Sequence, residues 1–115
     1  MSHKRRSRVA LKRQTRAPVF AALGDEMRLA LVAKLCAGRP RSISQLTEGS
    51  GLTRQAVTKH LRVLENVGIV RSFHRGRETR FEFNPETIEG MKQYLDFVSK
   101  QWDQTLSRLK SFVEN

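Results

Sequence analysis

Between Thr53 and Arg62 the chain reads Thr-Arg-Gln-Ala-Val-Thr-Lys-His-Leu-Arg, with long cationic and amide side chains recurring at helical intervals. Wound as a helix, this segment places Arg54, Gln55, Thr58, Lys59 and Arg62 on one side and Ala56, Val57, Leu61 and Leu64 on the other. Such a polar face can bond a polyanion and the edges of flat heterocycles: Arg and Lys suit guanine, Gln suits adenine, and any cation suits phosphate. Arg54, Gln55, Thr58 and Lys59 are therefore the expected readers of base edges, with His60 and Arg62 as phosphate contacts. A duplex major groove of about 12 Å admits one helix of this kind. The bland alternative is an ordinary solvated helix with a cationic outer face.

A second cationic group follows at Arg75, Arg77 and Arg80 around Gly76, between two β-branched and aromatic runs, Ile69 to His74 and Glu78 to Phe83. These runs predict a hairpin with a basic tip, whose long side chains can lie along a phosphate backbone or enter a minor groove. Charge on an exposed edge hairpin also discourages aggregation, and the two roles are compatible.

The elements that must carry these residues are legible from local signals. Pro18 suits the first turn of a short helix bearing Val19, Phe20 and Leu23, which Gly24 breaks. Asp25 is a helix cap, and Met27, Leu31, Val32 and Leu35 form an apolar face behind it, ended by Gly38-Arg39-Pro40. Ser42 and Gln45 have capping-box spacing, predicting a short helix from about Ile43 to the glycines at 49 and 51. Thr53 caps the next helix, to about Asn66, with Gly68 as its stop. Asn84-Pro85 opens a last helix in which Ile88, Met91, Leu95, Val98, Trp102, Thr105, Leu109 and Phe112 alternate by three and four. A second stripe of Tyr94, Phe97, Leu106 and Val113 widens that surface beyond the needs of one small core, which points to a partner helix. The expected fold is mainly α, with about five helices and a small β-hairpin wing: a winged helix-turn-helix that forms a homodimer.

Charge and composition narrow the function. Of the 22 Lys and Arg in 115 residues, seven precede Ala17 with no acid among them, and seven more lie between Arg54 and Arg80 against Glu65 and Glu78. Residues 1–16 are expected to be a flexible basic arm and 17–115 a single DNA-binding and dimerisation domain, small for two cores. Concentrated positive charge of this kind displaces counterions from a polyanion. One cysteine, Cys36, leaves no intrachain disulfide and fits a reducing cytosol; Cys36 is expected to be a buried small hydrophobe, and His60 and His74 to lie on the surface or the DNA face. There is no apolar run of membrane-spanning length, and no secretory h-region follows the basic start. Cytoplasmic residence is the expectation.

The stretches Phe20-Ala-Ala-Leu-Gly-Asp-Glu-Met-Arg-Leu, Gly51-Leu-Thr-Arg-Gln-Ala-Val-Thr-Lys-His-Leu-Arg-Val-Leu and Gly68-Ile-Val-Arg, in this order, resemble the ArsR/SmtB family of bacterial repressors, from about Ala17 to Asn115. The resemblance implies a dimer held by its first and last helices, double-stranded DNA with a palindromic operator as partner, and repression relieved by an inducer or partner that the sequence does not name. On that pattern Thr53, Arg54, Gln55, Thr58, Lys59 and His60 match the recognition helix, and Arg75, Gly76 and Arg77 the wing tip. The expected dimer surface comprises Val19, Phe20, Leu23, Leu95, Val98, Trp102, Leu106 and Leu109.

The metal-sensing branches carry cysteine pairs or His and acidic ligands that this chain lacks, so no metal or other cofactor is expected. Nor is there a nucleophile elbow, a phosphate-binding glycine loop or a paired-carboxylate site, so no enzyme is expected. Two other readings stand beside sequence-specific regulation: a winged-helix protein-interaction or antitoxin-like module with nonspecific nucleic-acid affinity, and a metal- or redox-responsive repressor.

Overall fold

The computed structural model describes residues 13–114. Helix α1 (Arg13–Ala22) runs through Pro18 instead of starting there, so four residues assigned to the basic arm are helical; residues 1–12 of that arm lie outside the described residues. Proline has no N–H for the helical ladder, so α1 continues across it at the loss of one backbone bond. The chain then turns at Leu23 and Gly24, whose N–H groups bond Phe20 and Ala21 carbonyls.

Asp25 accepts from Arg28 N at 3.0 Å and starts α2 (Glu26–Leu35), satisfying a donor that the first helical turn leaves free. A two-residue strand, β1 (Arg41–Ser42), leads into α3 (Ile43–Thr47) through the predicted capping box: Ser42 Oγ accepts from Gln45 N at 3.2 Å, and Gln45 Oε1 from Ser42 N at 2.9 Å. The far end of α3 is closed from outside the motif, by Lys34 Nζ of α2 donating to the Leu46 and Glu48 carbonyls at 3.1 and 2.8 Å. A turn with Gly49 and Gly51 at φ +73 and +74 passes the chain to α4 (Arg54–Asn66), where Thr53 Oγ1 accepts from Ala56 N. Only glycine adopts such φ values without steric cost.

Strands β2 (Val70–Arg75) and β3 (Glu78–Phe83) form the hairpin, and β1 pairs with the other edge of β3, giving the antiparallel order β1-β3-β2. The hairpin begins one residue later than expected because Ile69 closes α4, its N–H bonding Leu64 O. Helix α5 (Pro85–Glu114) has 30 residues, so it is about 45 Å long at 1.5 Å per residue.

Helix α4 carries the centre of the core. Val57, Leu61 and Leu64 are fully buried against Leu31 and Leu35 of α2, Leu46 of α3, and Ile69, Val70 and Phe81. Each such side chain contributes about 1.5–3 kcal/mol by leaving water. Met27, expected on the inner face of α2, stays 39% exposed.

Candidate nucleic-acid interface

Burial of Val57, Leu61 and Leu64 forces the opposite side of α4 outward. Arg54, Gln55, Lys59 and Arg62 are exposed, and Gln55, Ala56, Thr58, Lys59 and Arg62 line one shallow concavity. The hydroxyls on this helix serve the backbone: Thr53 caps it, and Thr58 Oγ1 donates to Arg54 O at 2.7 Å. The long side chains carry the outward hydrogen-bonding capacity.

The wing stands beside the start of this helix. Gly76 takes φ +64 as the first of two turn residues and Arg77 a negative φ, the pattern of a type II′ hairpin, which leaves Arg75 and Arg77 exposed at the tip. Arg54 and Arg77 line a single groove with Ser42, Ile43, Ser44, Glu78 and Thr79. The two cationic segments, separated in sequence, thus adjoin in space. Arg80 is different: its guanidinium donates to Glu78 Oε1 at 2.9 Å, and the side chain is half-buried, so its charge is compensated on the strand itself.

His60 also departs from the outward set. Its ring is turned toward the start of α2, with Nδ1 3.5 Å from Arg28 Nη1 and 3.8 Å from Asp25 Oδ2. Arg28 in turn donates through Nε to Ala22 O at 2.5 Å, so one guanidinium joins the end of α1, the start of α2 and the middle of α4. His60, expected as a phosphate contact, links helices in this arrangement. The Asp25 carboxyl is held below its ordinary value chiefly by the Arg28 backbone N–H that it accepts. His74 sits on the hairpin surface, 3.4 Å from Thr79 Oγ1.

Glu65, which sequence reasoning treated only as a balancing charge, has both carboxylate oxygens engaged. Oε1 accepts from Arg62 Nη1 at 2.6 Å and Oε2 from Ser72 Oγ at 2.5 Å. The spacing of Arg62 and Glu65 signals the first bond, but nothing local signals the second. These bonds, Ser72 foremost, hold the carboxyl below its ordinary value of 4.5. A lowered folded-state pKa means that the folded form is favoured above the unfolded value, with the advantage lost as pH falls through the folded one. Glu65→Gln is accordingly expected to lose stability at neutral pH yet soften its decline on acidification below about pH 4.5, as measured by urea midpoints across that range. Parallel pH curves for the two proteins would refute this linkage.

The expected dimer surface divides. Val19 is 1% exposed within the chain's own core and is not available to a second protomer, because the inner side of α1 faces α4. Leu23 packs against that core, and Phe20 meets Tyr94 of α5 with ring centroids 5.8 Å apart, while Arg16 lies 4.8 Å over the same Tyr94 ring. Leu95, Trp102, Leu106 and Leu109 are between 53% and 60% exposed, and Val98 is half-buried. Cys36, expected inside, is exposed after the last turn of α2. Among the described residues no three His, Cys, Asp or Glu side chains gather in a metal-binding group, and no helix is long and apolar enough to cross a membrane.

Comparison with known proteins decides the family. The model of a helix-turn-helix domain family matches residues 15–72. An ArsR-like transcriptional regulator from Rhodococcus sp. RHA1 superposes with a TM-score of 0.70 at 33% identity, covering 84% of this chain and 90% of that one. The chain belongs to the ArsR family of winged helix-turn-helix transcriptional regulators. Within it, this regulator is 33% identical over 79 residues to the uncharacterized HTH-type transcriptional regulator YuzN of Bacillus subtilis, covering 64% of this chain and 86% of YuzN. It is 26% identical over 72 residues to the arsenical resistance operon repressor of the same organism, covering 63% and 69% of the two chains. This ArsR-family protein is a DNA-binding transcriptional regulator and not an enzyme, and the matched residues 15–72 run from α1 through α3, the turn and α4.

Proposed function

We propose that the protein is a homodimeric transcriptional repressor that sets two copies of α4 into successive major grooves of a palindromic operator. The observation that carries this reading is the common exposure of Arg54, Gln55 and Lys59 beside Arg75 and Arg77, with Arg54 and Arg77 in one groove. Gln55 and Arg54 read base edges, Lys59 and the wing arginines hold phosphates, and Thr53 and Thr58 keep the helix start in shape. The exposed apolar side of α5, with Leu95, Trp102, Leu106 and Leu109, supports pairing of two chains. Twofold pairing places half-sites about 34 Å apart. The basic stretch ahead of the domain adds sequence-independent affinity, and the protein works in the cytoplasm, on the nucleoid when bound. Occupying the operator represses transcription, in keeping with the arsenical resistance operon repressor among its relatives.

The test is a salt titration on a duplex enriched by the wild-type protein from a randomised pool and on a scrambled duplex. Gln55→Ala is expected to relax preference at one base pair, about 1–3 kcal/mol of discrimination for a bidentate contact. Lys59→Ala is expected to weaken both duplexes alike and reduce the salt slope by about 1. An unaltered base preference in Gln55→Ala would remove that residue from the reading set, and equal wild-type affinity for the two duplexes would reject sequence-specific binding.

A further inference from the structure

The carboxylate of Glu65 lies where the recognition helix meets the wing, away from the base-reading side chains Arg54 and Gln55 at the helix start. Its two oxygens join α4 to β2. Oε1 takes Nη1 of Arg62 at 2.6 Å, and Oε2 takes Oγ of Ser72 in β2 at 2.5 Å. Ser72 pairs in register with Phe81 of β3, and the Arg62 guanidinium lies 5.6 Å from the ring centroid of that same Phe81. Arg62, Glu65, Ser72 and Phe81 therefore form one closed cluster, anchored on a fully buried ring.

This arrangement has two consequences for DNA binding. An arginine on the polar side of α4 adds to affinity for any phosphate chain, because each cation that neutralises a phosphate releases counterions regardless of sequence. Arg62 instead spends its charge on a carboxylate. The hydrogen bond to Ser72, meanwhile, ties β2 to the end of α4, so the wing and the base-reading side chains approach a duplex at a set angle.

We propose that Glu65 is a specificity-determining positioning residue, which withholds Arg62 from indiscriminate phosphate contact and locks the wing to the recognition helix. The inference rests on the DNA-binding reading above and adds to it a residue that touches no base.

The experiment uses the full chain, the enriched duplex and the scrambled duplex, each titrated over a range of salt, with folding of every variant checked by circular dichroism. In Glu65→Gln the scrambled duplex is expected to bind more tightly, with a salt slope steeper by about 0.9, the contribution of one phosphate contact. The ratio of enriched to scrambled affinity is expected to fall about tenfold, what one charge-assisted hydrogen bond supplies. Adding Arg62→Gln to Glu65→Gln returns the slope to shallower values. Loss of the fold alone would lower binding to both duplexes without steepening either slope. Ser72→Ala, which leaves every charge in place, is expected to lower the ratio with the wild-type slope, and it carries the test if Glu65→Gln does not fold. A wild-type slope in Glu65→Gln, a steeper slope that persists without Arg62, or a wild-type ratio in Ser72→Ala overturns the proposal. Wild-type protein that fails to distinguish the two duplexes overturns the DNA-binding reading itself, a separate outcome.

Discussion

Phe81→Ala is expected to cost about 3–5 kcal/mol of stability, the range for truncating a buried aromatic side chain. Phe81 has no exposed surface, and it sits in the central strand of the sheet, opposite Arg41 of β1 and Ser72 of β2. Its ring belongs to the core cluster with Val57, Leu61 and Leu64 of α4, so truncation removes packing from the centre of the domain. For a domain of this size the loss lowers the melting temperature by more than about 10 °C. Chemical denaturation at fixed protein concentration checks the value, since association would otherwise change the apparent stability. Leu29→Ala, at a side chain 49% exposed, is the comparison and is expected to change little. A loss in Phe81→Ala no larger than in Leu29→Ala would contradict the packing described above.

The second large effect concerns assembly. Leu106→Asp combined with Leu109→Asp is expected to give a monomer by sedimentation and to lower affinity for the enriched duplex about 10²–10⁴-fold, the advantage that linking two half-site contacts supplies. The grounds are the apolar side chains left uncovered along α5: Leu106 and Leu109 are 56% and 55% exposed, and Phe112 and Val113 are 83% and 82% exposed toward its end. Carboxylates introduced there leave α4 and the wing untouched, because only Gly90 of α5 is buried and its contacts with the core, through Ile88 and Met91, lie near its start. Residual binding to a single half-site with an unchanged Gln55 preference would show that the reading face survives in the monomer. A doubly substituted protein that stays dimeric would move the association surface off this stripe.

Much of the interface was legible in residues three or four apart. The two sides of α4 follow from helical period alone, and their outcome is a fully buried Val57, Leu61 and Leu64 opposite an exposed Arg54, Gln55 and Lys59. His60 shows the limit of that reasoning. It occupies a position at the border of the two faces, and its direction depends on Asp25 and Arg28, which arrive from another helix. Arg80 and Arg62 show another: a count of cations marks a segment as basic, but Glu78 and Glu65 decide which of those cations are compensated.

What the sequence determined by itself is the set of elements whose making is local. Caps at Asp25, Ser42 and Thr53, the Gly76 turn and the period of α4 each depend on hydrogen bonds or sterics spanning a few residues, so the residue types suffice. Only the tertiary structure decided that Val19 belongs to the core, that Arg41 and Ser42 add a third strand to β3, that Lys34 closes α3, and that Glu65 reaches Ser72. Each of these contacts joins elements brought together by burial of apolar surface, a force without direction, so the residue pattern shows which side of an element is buried but not which partner it meets.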